Sequence, residues 1–277
     1  MLVTNLSLFN EKLLIGIAHK FNLEGDVMTV KKLFFLPAGR ILIDQSSLNT
    51  NLLPGKLIDI PIWSYLLETS DGPILIDTGM PDVAVNSPDL FKGTPFEDSI
   101  IPKMKDSDRI ESVLERTGYL PEDLVCIISS HLHFDHAGGN GHFPKTPIIV
   151  QRTEYDAAVH REEYMKECVL PDLNYQFIDG DHELLPGVQL LYTPGHSPGH
   201  QSVLVETEAS GMILLTIDAS YTRENFEQGV PYAGVDSNLT EKSIQRLKEI
   251  VSTEKPLIFF GHDTEQEKGR KTFPEYL

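Results

Sequence analysis

Within six positions, 131–136, the chain places three histidines and one aspartate in the order His-x-His-x-Asp-His. Just upstream, residues 124–128 read Leu-Val-Cys-Ile-Ile, an apolar and β-branched run that predicts a buried strand. Just downstream, Gly138 and Gly139 end any extended conformation and let the backbone turn. The cluster therefore belongs to a loop leaving a core strand. Imidazole nitrogen and carboxylate oxygen together form the ligand set of zinc and its first-row neighbours. Alternation puts His131 and His133 on one side of an extended segment. Asp135 and His136 fall where the chain turns, free to face a second ion. A solvated His-rich turn is the bland reading, and the strand-turn context argues against it. A chain carrying this stretch has to fold around a metal site.

The rest of the composition describes an ordinary globule. With 277 residues, 40% hydrophobic and 23% charged, the chain can bury about three quarters of its unfolded surface, enough for one large domain. A formal charge of −18 argues against a nucleic-acid backbone or an anionic membrane as partner. The two cysteines are too few for a disulfide framework and suit a reducing cytoplasm. Cys126 reads as a small core residue and Cys168 as packing. Residues 1–27 hold a short apolar run, 13–18, with Lys12 as its nearest preceding cation and no small-residue cleavage site. That is neither a good secretory signal nor a membrane span. A fresh start at Met28 precedes the first predicted strand, 33–36, so residues 1–27 are expected to be a dispensable extension and 28–277 the functional domain. Deleting 1–27 should leave activity and melting temperature nearly unchanged.

Along the chain, strand-like runs recur at 57–67, 73–76, 147–150, 188–193, 202–206, 212–217 and 256–260. Asp77 closes the second of these, either supporting the metal loops through hydrogen bonds or capping its turn. Residues 80–104, rich in Pro, Gly and Asp yet carrying Phe91 and Phe96, read as a packed functional loop. Helices are predicted after the cap region 106–108, with Ile110, Val113 and Leu114 on one face and Gly118 as stop. Others are predicted over 152–168 and over 237–251, the latter burying Ile244, Leu247 and Val251. Apolar strands ending in a turn and a metal-binding side chain appear again at Gly195-His196 and Gly261-His262. Strands in two groups separated by helices suggest a layered α/β sandwich with ligands along one edge, in a single domain.

The motifs Ser-His-Leu-His-Phe-Asp-His-Ala-Gly-Gly at 130–139, Thr-Pro-Gly-His-Ser-Pro-Gly-His at 193–200, Ile-Asp-Ala-Ser-Tyr at 217–221 and Phe-Phe-Gly-His-Asp at 259–263 resemble those of the metallo-β-lactamase superfamily. From Met28 to Leu277 the chain more narrowly resembles the N-acyl-homoserine lactone lactonases of bacilli. The resemblance implies the αββα metallo-β-lactamase sandwich as fold and two divalent metal ions, most simply Zn2+, as cofactors. One ion would be held by His131, His133 and His196, the other by Asp135, His136 and His262. Asp218 would bridge the two, with a water-derived hydroxide as the second bridge.

The implied activity is quorum quenching: a metal-dependent hydrolase opening the lactone ring of a small-molecule N-acyl-homoserine lactone. Tyr221 would donate to the carbonyl oxygen and Asp135 would pass a proton to the leaving alkoxide. Gly234 would present its backbone to the substrate amide. Phe134, Phe91 and Phe96 are candidate walls for the acyl chain, against an ordinary core role. His200 is read as packing or support for the ligands, and His142, His160, His182 and His19 as surface residues. The competing readings are a thioesterase of the glyoxalase II kind, for which Lys268, Arg270 and Lys271 would be a thin basic patch, and a non-catalytic, metal-stabilised binding module.

Overall fold

Strands that are apolar on both faces need a layer on each side, and runs such as 74–76, 126–128 and 213–215 are of that kind. The computed structural model describes residues 30–277; residues 1–27, the start at Met28 and His19 lie outside the described residues. Strand β1 (Val30–Asp44) pairs antiparallel with β2 (Leu57–Thr69), which returns as β3 (Gly72–Ile76). A short β4 (Ile100–Lys103) adds to the far end of β1. Parallel to β3 then come β5 (Cys126–Ile128), β6 (Ile148–Gln151) and β7 (Tyr175–Ile178). The second half is β8 (His182–Leu185), β9 (Val188–Tyr192), β10 (Gln201–Thr207) and β11 (Gly211–Ile217), paired antiparallel in that order, with β12 (Leu257–Phe260) parallel to β11. A single residue pair, Val30 with Thr207, joins the halves through β1 and β10.

Alternation along the strands decides what each face meets. Ile74, Ile76, Cys126 and Ile128 of one half and Val203, Val205, Ile213 and Leu215 of the other form one buried cluster between the sheets. The intervening residues point outward. Leu75, Ile127 and Ile148 pack under Ile110, Val113 and Leu114 of the helix Ile110–Thr117. Leu204 and Leu214 pack under Ile244 and Leu247 of the helix Ser237–Glu254, together with Phe226. The layers run helix, sheet, sheet, helix. That is the αββα sandwich in one domain. Each fully buried Leu, Ile or Val in these seams contributes about 1.5–3 kcal/mol by leaving water.

Several elements differ from the sequence expectation. The first strand extends well past 33–36, through Pro37, because the pairing of β1 and β2 shifts register between Pro37 and Arg40. A bulge of that kind accommodates the missing amide hydrogen of proline. The helix expected over 152–168 ends at His160, and only Lys166–Cys168 turns again, as a 3-10 segment. Residues 106–108 form their own 3-10 turn, and Arg109 caps the helix that follows, which Gly118 ends in the left-handed region at φ 84°. Cys126 and Cys168 are buried free thiols. Among the described residues no helix is long and apolar enough to cross a membrane.

Candidate metal centre

Asp77, the 129–137 loop, the 193–200 loop, Asp218 and His262 all follow the carboxyl ends of strands: β3, β5, β9, β11 and β12 respectively. Because β3 runs parallel to β5 and β11 to β12, these ends meet at one edge of the sandwich. Local backbone strain marks two of them. Asp77 lies at φ 57° and Ile217 at φ 50°, left-handed values that side-chain-bearing residues rarely adopt. The register shift of β11 against β12 at Leu215–Ile217 accompanies that turn and delivers Asp218 to the edge. Two glycines are required by contact. A Cβ on Gly195, at φ 137°, would sit 2.2 Å from the Thr240 nitrogen, and one on Gly261 would sit 2.9 Å from Asp218 Oδ1.

The seven expected ligand residues lie together. His196 Nε2 is 3.2 Å from His131 Nε2 and 2.8 Å from His133 Nδ1. Leu132, between the two histidines, points the opposite way into an apolar cluster with Ala137 and Val150. On the other side, Asp135 Oδ2 is 3.5 Å from His136 Nε2 and 3.8 Å from His262 Nε2. The carboxylate of Asp218 lies between these groups. Its Oδ2 faces His131 at 3.7 Å and His196 at 3.2 Å, whereas its Oδ1 faces His136 at 3.4 Å and His262 at 3.1 Å. The donor atoms gather into three sets: His131, His133 and His196; His131, His136 and Asp218; and Asp135, His136 and His262.

This chemistry fits cations. His136 Nε2 and Asp218 Oδ1 are buried without a hydrogen-bond partner, which a folded protein rarely leaves uncompensated. Ring nitrogens converging on one point offer lone pairs that only a proton or a metal can reconcile. Burial holds His131 and His196 well below the ordinary imidazole value despite Asp218, so both stay neutral and able to ligate. Burial also presses down on His136, but the charges of Asp218 and Asp135 and the hydrogen bond to Asp77 together raise it well above that value. Against its own burial, Asp218 is held well below the carboxylate range by His262, His136 and His196.

The outer partners fix orientation. Asp77 accepts from Ser130 N and Ser130 Oγ, both at 2.7 Å, and from His136 Nδ1 at 2.8 Å. So it supports the ligand loop directly, the first of its two expected readings. His262 Nδ1 donates to the Pro61 carbonyl at 2.9 Å. His200 is not among the converging donors. Its Nε2 accepts from the Asp218 amide at 3.0 Å, its Nδ1 lies 2.9 Å from Thr193 Oγ1, and burial pushes its pKa down to about 3. A neutral ring with one accepting and one donating nitrogen is what those contacts require.

Tyr221 is buried with its hydroxyl 3.1 Å from His196 Nδ1, and its ring lies 5.3 Å from that of His262. Burial and then Asp218 push its pKa well above the ordinary phenol value, so it keeps its proton. Phe134, beside Asp135, contacts Phe91 at 4.9 Å between centroids, and Phe91 contacts Phe96 at 6.1 Å. Phe91 is buried and Phe96 is 37% exposed, so the row runs from the ligand loop to the surface. Gly234 is exposed, and a Cβ there would lie 3.1 Å from His196 Cα. His160 is exposed, while His142 and His182 are half-buried away from the cluster. The residue the sequence did not announce is Glu154. Fully buried, it accepts hydrogen bonds from both ligand loops. A glutamate in the first turn of a mixed helix reads as a surface residue, and nothing in its spacing says otherwise.

A sandwich with this His/Asp edge defines a class, and the chain belongs to it: the model of the metallo-beta-lactamase superfamily matches residues 57–262. Within that class, an N-acyl homoserine lactonase of Bacillus cereus is 67% identical over 250 residues, covering 90% of this chain and all of that protein. The N-acyl homoserine lactonase AiiA of Bacillus thuringiensis subsp. kurstaki is 68% identical over the same coverage. A crystal structure of an N-acyl homoserine lactone hydrolase with N-hexanoyl-L-homoserine bound at its catalytic metal centre superposes with a TM-score of 0.89 at 67% identity, covering 90% of this chain and all of that one.

Proposed function

We propose that this chain is an N-acyl-homoserine lactonase: a metal-dependent hydrolase that opens the lactone ring and so quenches a quorum signal. The observation that carries the reading is 67% identity over the full length of a curated lactonase. His131, His133 and His196 would hold one divalent ion, Asp135, His136 and His262 a second, and Asp218 would offer one oxygen to each. Zinc suits the histidine-rich set best. When bound, such a pair lowers the pKa of water and polarises a carbonyl.

The chain's own residues do the rest. With His196 Nε2 turned to the cluster, its Nδ1–H donates to the Tyr221 oxygen, leaving the phenol O–H free for the lactone carbonyl oxygen, where negative charge develops. Asp135 takes the proton released from water and returns it to the ring oxygen as the acyl C–O bond breaks. Water adds across that bond and the product is the N-acyl homoserine. Phe134, Phe91 and Phe96 give the acyl chain an apolar wall, and Gly234 offers its backbone to the amide. Two buried free thiols suit a reducing cytoplasm, the location we propose.

The basic patch of the thioesterase reading is thinned to Lys271, which is exposed. Lys268 pairs with Glu265 at 2.7 Å, and the Arg270 guanidinium stacks over Trp63 at 4.7 Å and Phe35 at 4.8 Å. Acid release in a pH-stat, with an N-acyl homoserine lactone, a thioester and a β-lactam tested side by side, decides. Rapid release from the lactone is expected; rapid release from the thioester alone would overturn the assignment.

A further inference from the structure

We infer that Glu154 is a positioning residue that sets the geometry of one half of the metal centre, the half built by His131, His133 and His196. The inference rests on the two-ion reading above and goes beyond it to a residue outside the ligand set. Glu154 lies in the first turn of the helix Arg152–His160 and is fully buried. Its Oε1 accepts from the Leu132 amide at 3.0 Å and from the Tyr164 hydroxyl at 3.1 Å. Its Oε2 accepts from Ser197 Oγ at 2.7 Å and from the Gly199 amide at 2.8 Å. All four partners are donors, two to each oxygen. A carboxylate fills that arrangement completely, whereas an amide would turn its NH2 toward two donors.

What these donors are attached to gives the contact its meaning. Leu132 is the residue between His131 and His133, and Ser197 follows His196 directly. Tyr164 lays its ring against His133, 5.1 Å between centroids. Gly199 precedes His200, whose Nε2 receives the Asp218 amide. Thus one buried carboxylate ties the loop after β5 to the loop after β9, which otherwise reach the cluster from different halves of the sandwich. The approach is close enough that a Cβ on Gly199 would lie 2.3 Å from the Glu154 amide nitrogen. None of the four contacts involves Asp135, His136 or His262. Of those residues, His136 leans on Asp77 and His262 on the Pro61 carbonyl instead. Asp77 reaches both halves, since it also holds Ser130 beside His131, whereas the Glu154 contacts fall on the His131, His133 and His196 half alone, so Glu154 should act on one ion and spare the other.

Zinc release tests this. The zinc-loaded full chain and its Glu154→Gln, Ser197→Ala and Tyr164→Phe variants are dialysed against graded chelator, and bound zinc is counted. The wild type should hold two ions. Glu154→Gln should release one of them at about 10- to 100-fold lower chelator strength, the usual cost of losing an outer partner of a ligand, while the second stays at the wild-type midpoint. Ser197→Ala and Tyr164→Phe, each removing one of four bonds and leaving the carboxylate in place, should shift the same ion by a few-fold. They keep the test open if Glu154→Gln fails to fold. Glu154→Asp should recover part of the loss. Joint loosening of both ions, or unchanged release in the single-donor variants, would overturn the inference. A wild type that holds only one ion would instead overturn the two-ion reading, and the inference with it.

Discussion

In the proposed mechanism the phenol of Tyr221 and the carboxylate of Asp218 would carry different parts of the chemistry, and their surroundings suit them to it. Asp218 is surrounded by imidazoles that keep it ionised, one oxygen turned to each histidine pair. Tyr221 is buried against the same negative charge and stays protonated. A neutral hydrogen-bond donor is what the oxyanion of that mechanism would need. Replacing Tyr221 by Phe removes only that donor. We expect kcat to fall on the order of 100-fold, about 3 kcal/mol, with bound metal and melting temperature unchanged. Steady-state kinetics with metal analysis of the same sample checks it, and a change in metal content would move Tyr221 into the ligand set. At this scale the sequence was most legible where chemistry is spelled by residue type. His131, His133, Asp135 and His136 announce themselves by spacing alone. His196, Asp218 and His262 became readable through motif resemblance, since their meeting depends on tertiary contacts between strand ends. Glu154 stayed hidden because a buried carboxylate and a solvated one look alike until their donors are known.

Among the elements, strand identity followed from apolar runs, while their lengths did not. Pro37 reads as a break, yet β1 continues past it by shifting register against β2. β4, β7 and β8 are only four residues each, too short to stand out from turns. The far end of the β1, β2 and β4 group is held by ions. Asp59 accepts from Arg40 Nε at 2.6 Å and from Lys103, and Arg40 reaches Glu267 at 2.5 Å. Although burial works against it, the Lys103 and Arg40 contacts hold the Asp59 carboxyl below its ordinary value of 3.8. Its folded pKa is depressed, so the unfolded chain takes up the proton first as pH falls. The stability it contributes is therefore full above 3.8 and lost as the pH drops through the folded value. Asp59→Asn should lower the urea midpoint at neutral pH and make little difference near the acid end of that window. An equal cost at both pH values would show that the ion pairs are not its source. The side chain is partly exposed, so the effect should be modest and should shrink with added salt.

For the whole molecule, the sandwich explains why ligands scattered from 131 to 262 can act as one site. Two half-sheets bury a common apolar seam, and their strand ends must then lie side by side. The helix layers were legible as amphipathic stretches; the side-by-side placement of the two halves was not, because it rests on non-local packing. A charge of −18 raises the concentration of cations around a chain whose clustered His and Asp side chains suit them. The central claim is that the edge holds two divalent ions and that lactone opening depends on them. The most direct measurement is to strip the chain with chelator, titrate zinc back, and follow ring opening of an N-acyl homoserine lactone with bound metal counted at each step. Activity should be absent from the stripped chain and should rise to saturation at two ions per chain. Full-rate lactone opening by the stripped chain would contradict the account.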